Sequence, residues 1–367
     1  MGQVGQRLGR QARLNACNVT TQQARHDMNR RVLLAARPIG LPQLSDFSFS
    51  AEPIVHPTDG ELLIAARYLS ADPLQRWRMD ETSGYGKTIA LGEMVWGRMV
   101  GQVVQSRNRN WQEGDFAEGM LGWQEYAVSM GDTERVSYAR GLTRVDPKRA
   151  PISTSLGILG MPGVTAYFAL LDICNPQPGE TVVLSAAAGT VGSLAGQIAK
   201  LRGCRVVGIA GGSAKVHYLK TELKFDAAID YQDTANLKEA LHAACPDRIH
   251  AYFDNVGGTV SDVVMGHLAD HARIAVVGRV AQLGGHHDRA DSQAYIISAR
   301  ARMQGFIVYD YAHRADEAYG EISGWLNAGK LHFDEVVHEG IESSPQALID
   351  VLKGNGIGKH VIKIGDQ

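Results

Sequence analysis

The chain has 367 residues, 44% of them hydrophobic and 21% charged, with a formal net charge of -2. That length accommodates two domains with cores of their own, and so even a charge balance gives no reason to expect nucleic acid or an anionic membrane as a partner. No apolar run reaches the length of a membrane span, and Cys17, Cys174, Cys204 and Cys245 are too scattered for a disulfide framework or a Cys-x-x-Cys metal lobe, which fits a reducing cytoplasm.

Residues 1–28 stand apart. Arg7, Arg10, Arg13 and Arg25 sit among Gln, Asn and Thr, with only Asp27 acidic. No apolar core of a secretory signal follows. Three readings stay open: a disordered tail, residues added upstream of a native start at Met28, or an Arg-rich organelle presequence. From residue 30 to about 156, short alternating strands such as ELLIAARYLS and VWGRMVGQVVQS, broken by Pro53, Pro57 and Pro73, predict a β-rich barrel or sandwich. From about 157 to 331, strands alternate with helices. TVVLSA, CRVVGIA, AAIDY, AYFDNV, RIAVVG and QGFIVY suffice for a parallel doubly wound sheet, with helices expected over 236–244, 259–268 and 315–328. The tail, 333–364, returns to strand character in VVHEGIE and KHVIKIG and is expected to rejoin the first domain. The expected division is therefore an extension over 1–28, a β-rich substrate domain over 29–156 and 332–367, and a dinucleotide domain over 157–331. Cys204, at the head of an apolar strand, reads as a buried thiol rather than a reactive one.

The densest signal is TVVLSAAAGTVGSLAGQIAKLRGCRVVGIAGGSAK, from Thr181 to Lys215. A short strand from Val182 runs into Ala187, Gly189 and Gly192 at Gly-x-Gly-x-x-Gly spacing, with Ala in the first slot, and an amphipathic helix follows. Small residues there allow a tight turn, a close approach to a pyrophosphate and exposure of the helix's unpaired N–H groups to it. The next strand ends in AGGSAK, where an NAD site carries an acid for the ribose 2′-OH. Here Gly211, Gly212 and Ser213 offer backbone and hydroxyl donors and Lys215 a cation, a set that suits a 2′-phosphate and hence NADPH. The rival reading makes Lys215 a solvated charge at a helix start.

Six ordered motifs extend this pattern: NRRVLLAARPIGLP at Asn29, YLSADP at Tyr68, GMPGVTAY at Gly160, the glycine turn, YFDNVGG at Tyr252 and MQGFIVYDY at Met303. Together they resemble the zinc-independent medium-chain dehydrogenase/reductases, and within them the group of leukotriene B4 dehydrogenase, prostaglandin reductase and curcumin reductase. The resemblance implies an α/β chain with a Rossmann-type doubly wound parallel sheet and a GroES-like β-rich domain, commonly as a homodimer. It implies NADPH-dependent saturation of the carbon–carbon double bond of α,β-unsaturated aldehydes and ketones. By motif match, Gly189, Thr190, Val191 and Gly192 hold the pyrophosphate, and Lys215 and Tyr231 flank the 2′-phosphate. Asn255, the segment opening at Gly278, and Phe306, Ile307 and Val308 line the ribose and nicotinamide. Tyr231 also reads as a strand-end aromatic, and Asn255 as a turn former before Gly257 and Gly258.

The chain departs from that group in three places. GRVAQLGG puts Leu283 where the group has a tyrosine and Ala281 where it has a serine, so the usual group for orienting substrate or protonating its enolate is missing. YLSADPLQRWRM puts Leu74, Gln75 and Trp77 in Tyr, Met and Gly slots and reshapes the pocket wall. GNGIGK puts Gly356 in a cofactor-contacting Asn slot, with Asn355 one position early. Tyr252 and Tyr68 read either as helpers of proton transfer or as core aromatics. No Cys/His/Cys catalytic zinc set exists. Adjacent His286, His287 and Asp288 read as a solvated turn before a helix, and no Gly-x-Ser-x-Gly elbow occurs. Two alternatives stay open: an NADPH quinone oxidoreductase, and a non-catalytic NADPH-binding protein whose site has decayed.

Overall fold

The computed structural model describes residues 27–82, 87–132, 141–234, 236–284 and 292–365. Most of 1–28, including Cys17, lies outside the described residues, as do His286, His287 and Asp288. β1 (Met28–Leu34) and β2 (Phe47–Pro53) pair as an antiparallel ribbon. β3 (Leu62–Ser70), β4 (Met99–Ser106), β5 (Phe116–Gly119), β6 (Tyr126–Ser129) and β7 (Thr143–Val145) build the sheet beside it. β3 is hydrogen-bonded to neighbours on both edges, and its run LLIAA is buried throughout rather than alternating, so both of its faces are covered there.

The second sheet holds β8 (Thr181–Leu184), β9 (Arg205–Ala210), β10 (Ala227–Asp230), β11 (Ile249–Asp254), β12 (Leu268–Val276) and β13 (Arg302–Gly305), all parallel, in the order β10-β9-β8-β11-β12-β13. Alternate residues of its central strands face opposite cores. Val182, Leu184 and Phe253 join Ile198 and Phe306 on one side, whereas Val183, Val207 and Tyr252 join Leu241 and Ile274 on the other. The tail does rejoin the first sheet. β15 (Lys359–Lys363) pairs antiparallel with β3 and parallel with β14 (Glu335–Glu339), giving the order β14-β15-β3-β4-β5-β7 with β6 also on β3.

Three expectations shift. The helix expected over 259–268 runs Gly258–Met265, because Leu268 is already paired with Ile249 at the head of β12. QGFIVY is strand only to Gly305. Phe306 still donates its N–H to the Val276 carbonyl at 3.0 Å, while its ring stacks on Tyr311, centroids 5.1 Å apart, and is buried in the core. The tail also contains a helix, Ser344–Lys353, with Pro345 in its first turn and a left-handed Gly354 at its end. Cys174, Cys204 and Cys245 are buried, and desolvation pushes the Cys204 thiol up to about 11, so it is the inert thiol expected. No helix among the described residues is long and apolar enough to cross a membrane.

Candidate functional site between the two sheets

The strand order makes β8 and β11 neighbours from which the chain proceeds in opposite directions, and ligands of open α/β sheets bind beyond the carboxyl ends of strands at such a point. There Ala186 adopts φ 48, and Gly189 opens the helix Thr190–Leu201 with no side-chain cap, so a cap does not take the first-turn N–H groups. A Cβ at Gly192 would lie 2.5 Å from the Ala186 carbonyl oxygen, which compels glycine. At Gly189 it would lie at 3.4 Å, an ordinary contact, so the chain itself leaves room there for a close approach from outside. This uncapped, small-residue turn, with Thr190 and Val191 half-exposed beside it, fits a pyrophosphate.

The neighbouring turn differs in one respect from the sequence expectation. Gly212, at φ 94, heads the helix Ser213–Thr221, but its N–H donates to Asp230 Oδ1 at 2.9 Å and is not on offer to a ligand. A Cβ on Gly211 would lie 3.0 Å from Tyr231 Cε1, so the half-exposed Tyr231 ring closes over that turn. Lys215 Nζ donates to the Gly354 carbonyl, and burial pushes its ammonium down from the ordinary value. Gly358 N–H donates to the Ala188 carbonyl at 3.0 Å, so the GNGIGK segment lies along both turns. Asn355, in the same segment, donates from its side-chain amide to Asp350 Oδ1 at 2.9 Å, closing the end of the tail helix.

Asn255 is brought to the switch point: its Nδ2 donates to the Ser185 carbonyl at 2.8 Å and its backbone N–H to Ser185 Oγ at 2.8 Å. A Cβ on Gly278 would lie 2.6 Å from the Asn255 carbonyl oxygen, so these two segments touch. Sequence reasoning missed Asp254, 3% exposed, whose carboxylate accepts from Tyr252 Oη, Ser185 Oγ, Ser261 Oγ and the Val256 and Gly257 N–H groups. Phe306 is core, Val308 packs half-buried against the same core, and Ile307 is 41% exposed.

The two tyrosines offered as helpers sit in different surroundings. Tyr252 is fully buried in the core on the far face of the sheet, and desolvation there, with Asp254 adding to it, raises its phenol well above the ordinary value. Tyr68 packs on Val100, Leu156 and Val361. Leu283, in the slot of the group's tyrosine, is 6% exposed and buried in the core of the first sheet, with its carbonyl near Gly40.

A small, open-mouthed pocket lies under Leu74, Trp96, Met120 and Met161 with Gln75 and Arg78. Leu74 is thus a wall residue, as the sequence implied. Gln75 is not a free polar group, since its Oε1 accepts from Asp72 N–H at 2.6 Å and its Nε2 donates to the Ser70 carbonyl at 2.9 Å, capping the helix Pro73–Arg78. Two buried ion pairs brace this wall: Lys359 with Asp72 at 2.6 Å, and Arg98 with Glu118, whose second contact is 2.6 Å. Among the described residues no three His, Cys, Asp or Glu converge as a metal-ligand set.

Comparison with known proteins extends this geometry. Residues 30–136 match the family described as "N-terminal domain of oxidoreductase", and residues 190–324 the family described as "Zinc-binding dehydrogenase". The chain is 40% identical to the NADPH-dependent curcumin reductase of Escherichia coli, over 92% of this chain and 98% of that protein. It is 39% identical to prostaglandin reductase 1 of Mus musculus, over 88% and 95%. The crystal structure of CurA in complex with NADPH from Vibrio vulnificus superposes with a TM-score of 0.85 at 38% identity, over 92% of this chain and 100% of that one.

Proposed function

This chain belongs to the medium-chain dehydrogenase/reductase family, in the group of the curcumin and prostaglandin reductases, and from that premise we propose that it uses NADPH to saturate the carbon–carbon double bond of α,β-unsaturated aldehydes and ketones. The observation that carries the proposal is a pair of features linked through adjacent residues, Gly358 bonding the Ala188 carbonyl and Lys359 pairing with Asp72. One is an uncapped glycine turn flanked by Lys215 and Tyr231, and the other an apolar cavity walled by Leu74, Trp96, Met120 and Met161. Gly189, Thr190, Val191 and Gly192 hold the pyrophosphate, Lys215 and Tyr231 receive the 2′-phosphate, and Asn255, Gly278, Ile307 and Val308 line the way toward the nicotinamide. Bound there, the cofactor supplies hydride to the β-carbon. The protein orients the substrate, excludes water and stabilises the charge that develops on the carbonyl oxygen. Zinc plays no part in this reading: the described cysteines are buried, and among the described residues no three ligand-type side chains converge, despite the name of the second matching family.

We place the domain division at about residues 156 and 332, a reading supported by the separation of the strands into two sheets. A homodimer is supported by β13, an edge strand exposed at all four residues, which offers an unpaired ladder to a second copy. The setting we assign is the cytoplasm. The test follows NADPH oxidation with benzylideneacetone, a long-chain alkenal, a curcuminoid and a naphthoquinone in parallel. Enone or enal turnover is expected, and turnover of the quinone alone overturns the proposal in favour of a quinone reductase. Tight NADPH binding with no turnover of any of them makes the chain a binding protein.

A further inference from the structure

A site built for NADH carries an acid just past the end of its second strand, where it takes the ribose 2′-OH. In this chain that strand, β9, ends at Ala210, and Gly211, Gly212 and Ser213 follow with no carboxylate among them. The carboxylate comes from the next strand instead. Asp230 closes β10, pairs with Ala210 in the parallel ladder, and accepts the Gly212 N–H at Oδ1 across 2.9 Å. Resting on the NADPH reading above, we propose that Asp230 determines how strictly the chain selects its dinucleotide: its charge at the 2′-phosphate turn restrains the preference for NADPH and lets NADH bind as well.

What does and does not engage Asp230 places it for this role. Oδ1 is used twice, by Gly212 N–H and by Gln232 N–H at 3.0 Å, whereas among the described residues nothing donates to Oδ2. The acid just before the strand, Asp226, is answered by Lys200 at 3.0 Å. Among the described residues no lysine or arginine does the same for Asp230, and the cation of the turn, Lys215, donates to the Gly354 carbonyl. The half-buried carboxylate therefore stands uncompensated beside the turn.

The two dinucleotides meet this arrangement differently. A 2′-phosphate carries about two negative charges, and a carboxylate at the same turn repels it. The phosphate also finds the Gly212 N–H already spent, which leaves Lys215, Tyr231 and the remaining donors of the turn to hold it. A ribose 2′-OH brings no charge and donates to a carboxylate oxygen, the bond by which an acid selects NADH. Lys215 favours the phosphate and Asp230 opposes it, so the balance of the two, rather than the lysine alone, sets the selectivity. Only the adenosine end is concerned, and hydride transfer proceeds alike once either cofactor is bound.

The test compares the full-length wild type with Asp230→Asn and Asp233→Asn by calorimetric binding of NADP⁺ and NAD⁺, which differ only in the 2′-phosphate. The wild type is expected to bind NAD⁺ within about 100-fold of NADP⁺. Asp230→Asn keeps an oxygen for the Gly212 N–H and removes the charge. It should bind NADP⁺ about 10-fold more tightly and NAD⁺ about threefold more weakly, a shift that shrinks as salt is raised. Asp233→Asn removes the same charge from the exposed turn after β10 and should move the ratio by less than about twofold. A wild type that binds neither dinucleotide overturns the cofactor reading itself. A wild type that binds NADP⁺ with a ratio unmoved by Asp230→Asn, or moved as far by Asp233→Asn, overturns only the role of Asp230. Should Asp230→Asn fail to fold, the wild type decides, and a preference for NADP⁺ above about 1,000-fold overturns the assignment.

Discussion

The glycine turn and the cavity wall are built by opposite means. At the turn, backbone does the work: a left-handed Ala186, a Gly192 that no larger residue can replace, and an uncapped helix start, all within one contiguous stretch. At the wall, side chains distant in sequence do it. Arg78 meets Tyr309 231 residues away, and Asp72 meets Lys359 287 residues away. A backbone cradle constrains which residues its own positions tolerate, whereas a side-chain wall constrains pairs. The two are joined at adjacent residues, since Gly358 N–H bonds the turn at Ala188 and Lys359 Nζ braces the wall at Asp72.

The sharpest way to break that contrast is to remove one member of a wall pair. Lys359 is 4% exposed at its side chain and Asp72 16%, so Lys359→Met strands a largely buried carboxylate and also withdraws the donor to the Ala71 carbonyl. Chemical denaturation is expected to show a loss of about 4 kcal/mol, the range found when a buried pair loses one partner. A loss under about 1 kcal/mol would mean that packing, not the ion pair, holds the wall. The matching experiment at the turn is Lys215→Glu, which sets a carboxylate where a 2′-phosphate is expected. The ratio of NADPH to NADH affinity should fall about 100-fold, close to 3 kcal/mol. An unchanged ratio would leave Lys215 as nothing more than a strut to Gly354.

The same contrast explains what the sequence disclosed. Local spacing was enough for the parallel sheet, the turn at Gly189 to Gly192, and the return of β15 to β3, because each is written in neighbouring residues or strand period. Leu74 was legible as a wall residue only through the family pattern. Arg78 and Tyr309 were not legible at all: an arginine at a helix end and a tyrosine after a strand carry no mark of each other, and only the fold brings them to 3.4 Å. The placements of Tyr252 and Asn355 were hidden for a related reason. Tyr252 lies one residue from Phe253, and alternation across the sheet sends the two to opposite faces. The amide of Asn355 was claimed by Asp350 at the end of a helix that strand-like patterning on either side had concealed.

The smallest expected effect bears on the joint between the two regions. His360, on β15, is 5% exposed. Its Nε2 faces the Asn355 carbonyl at 2.8 Å and must donate, so the neutral ring accepts at Nδ1 from His338 Nε2, 3.0 Å away. Burial pushes His360 from its ordinary value of 6.5 to about 4, with His338 and Lys359 lowering it further and the Asn355 bond and Asp350 opposing. His338 is lowered as well, again by burial. Because the folded ring binds its proton less readily than the unfolded one, this term stabilises the fold fully above about pH 6.5 and is lost as pH falls toward 4. Between about pH 7 and pH 5 the wild type should therefore lose about 2 kcal/mol more than His360→Gln, whose amide can still donate to Asn355. Equal losses would show that the ring takes up its proton without disturbing the loop, and that the 354–358 segment holds to the glycine turn independently of the strand that carries the wall's lysine.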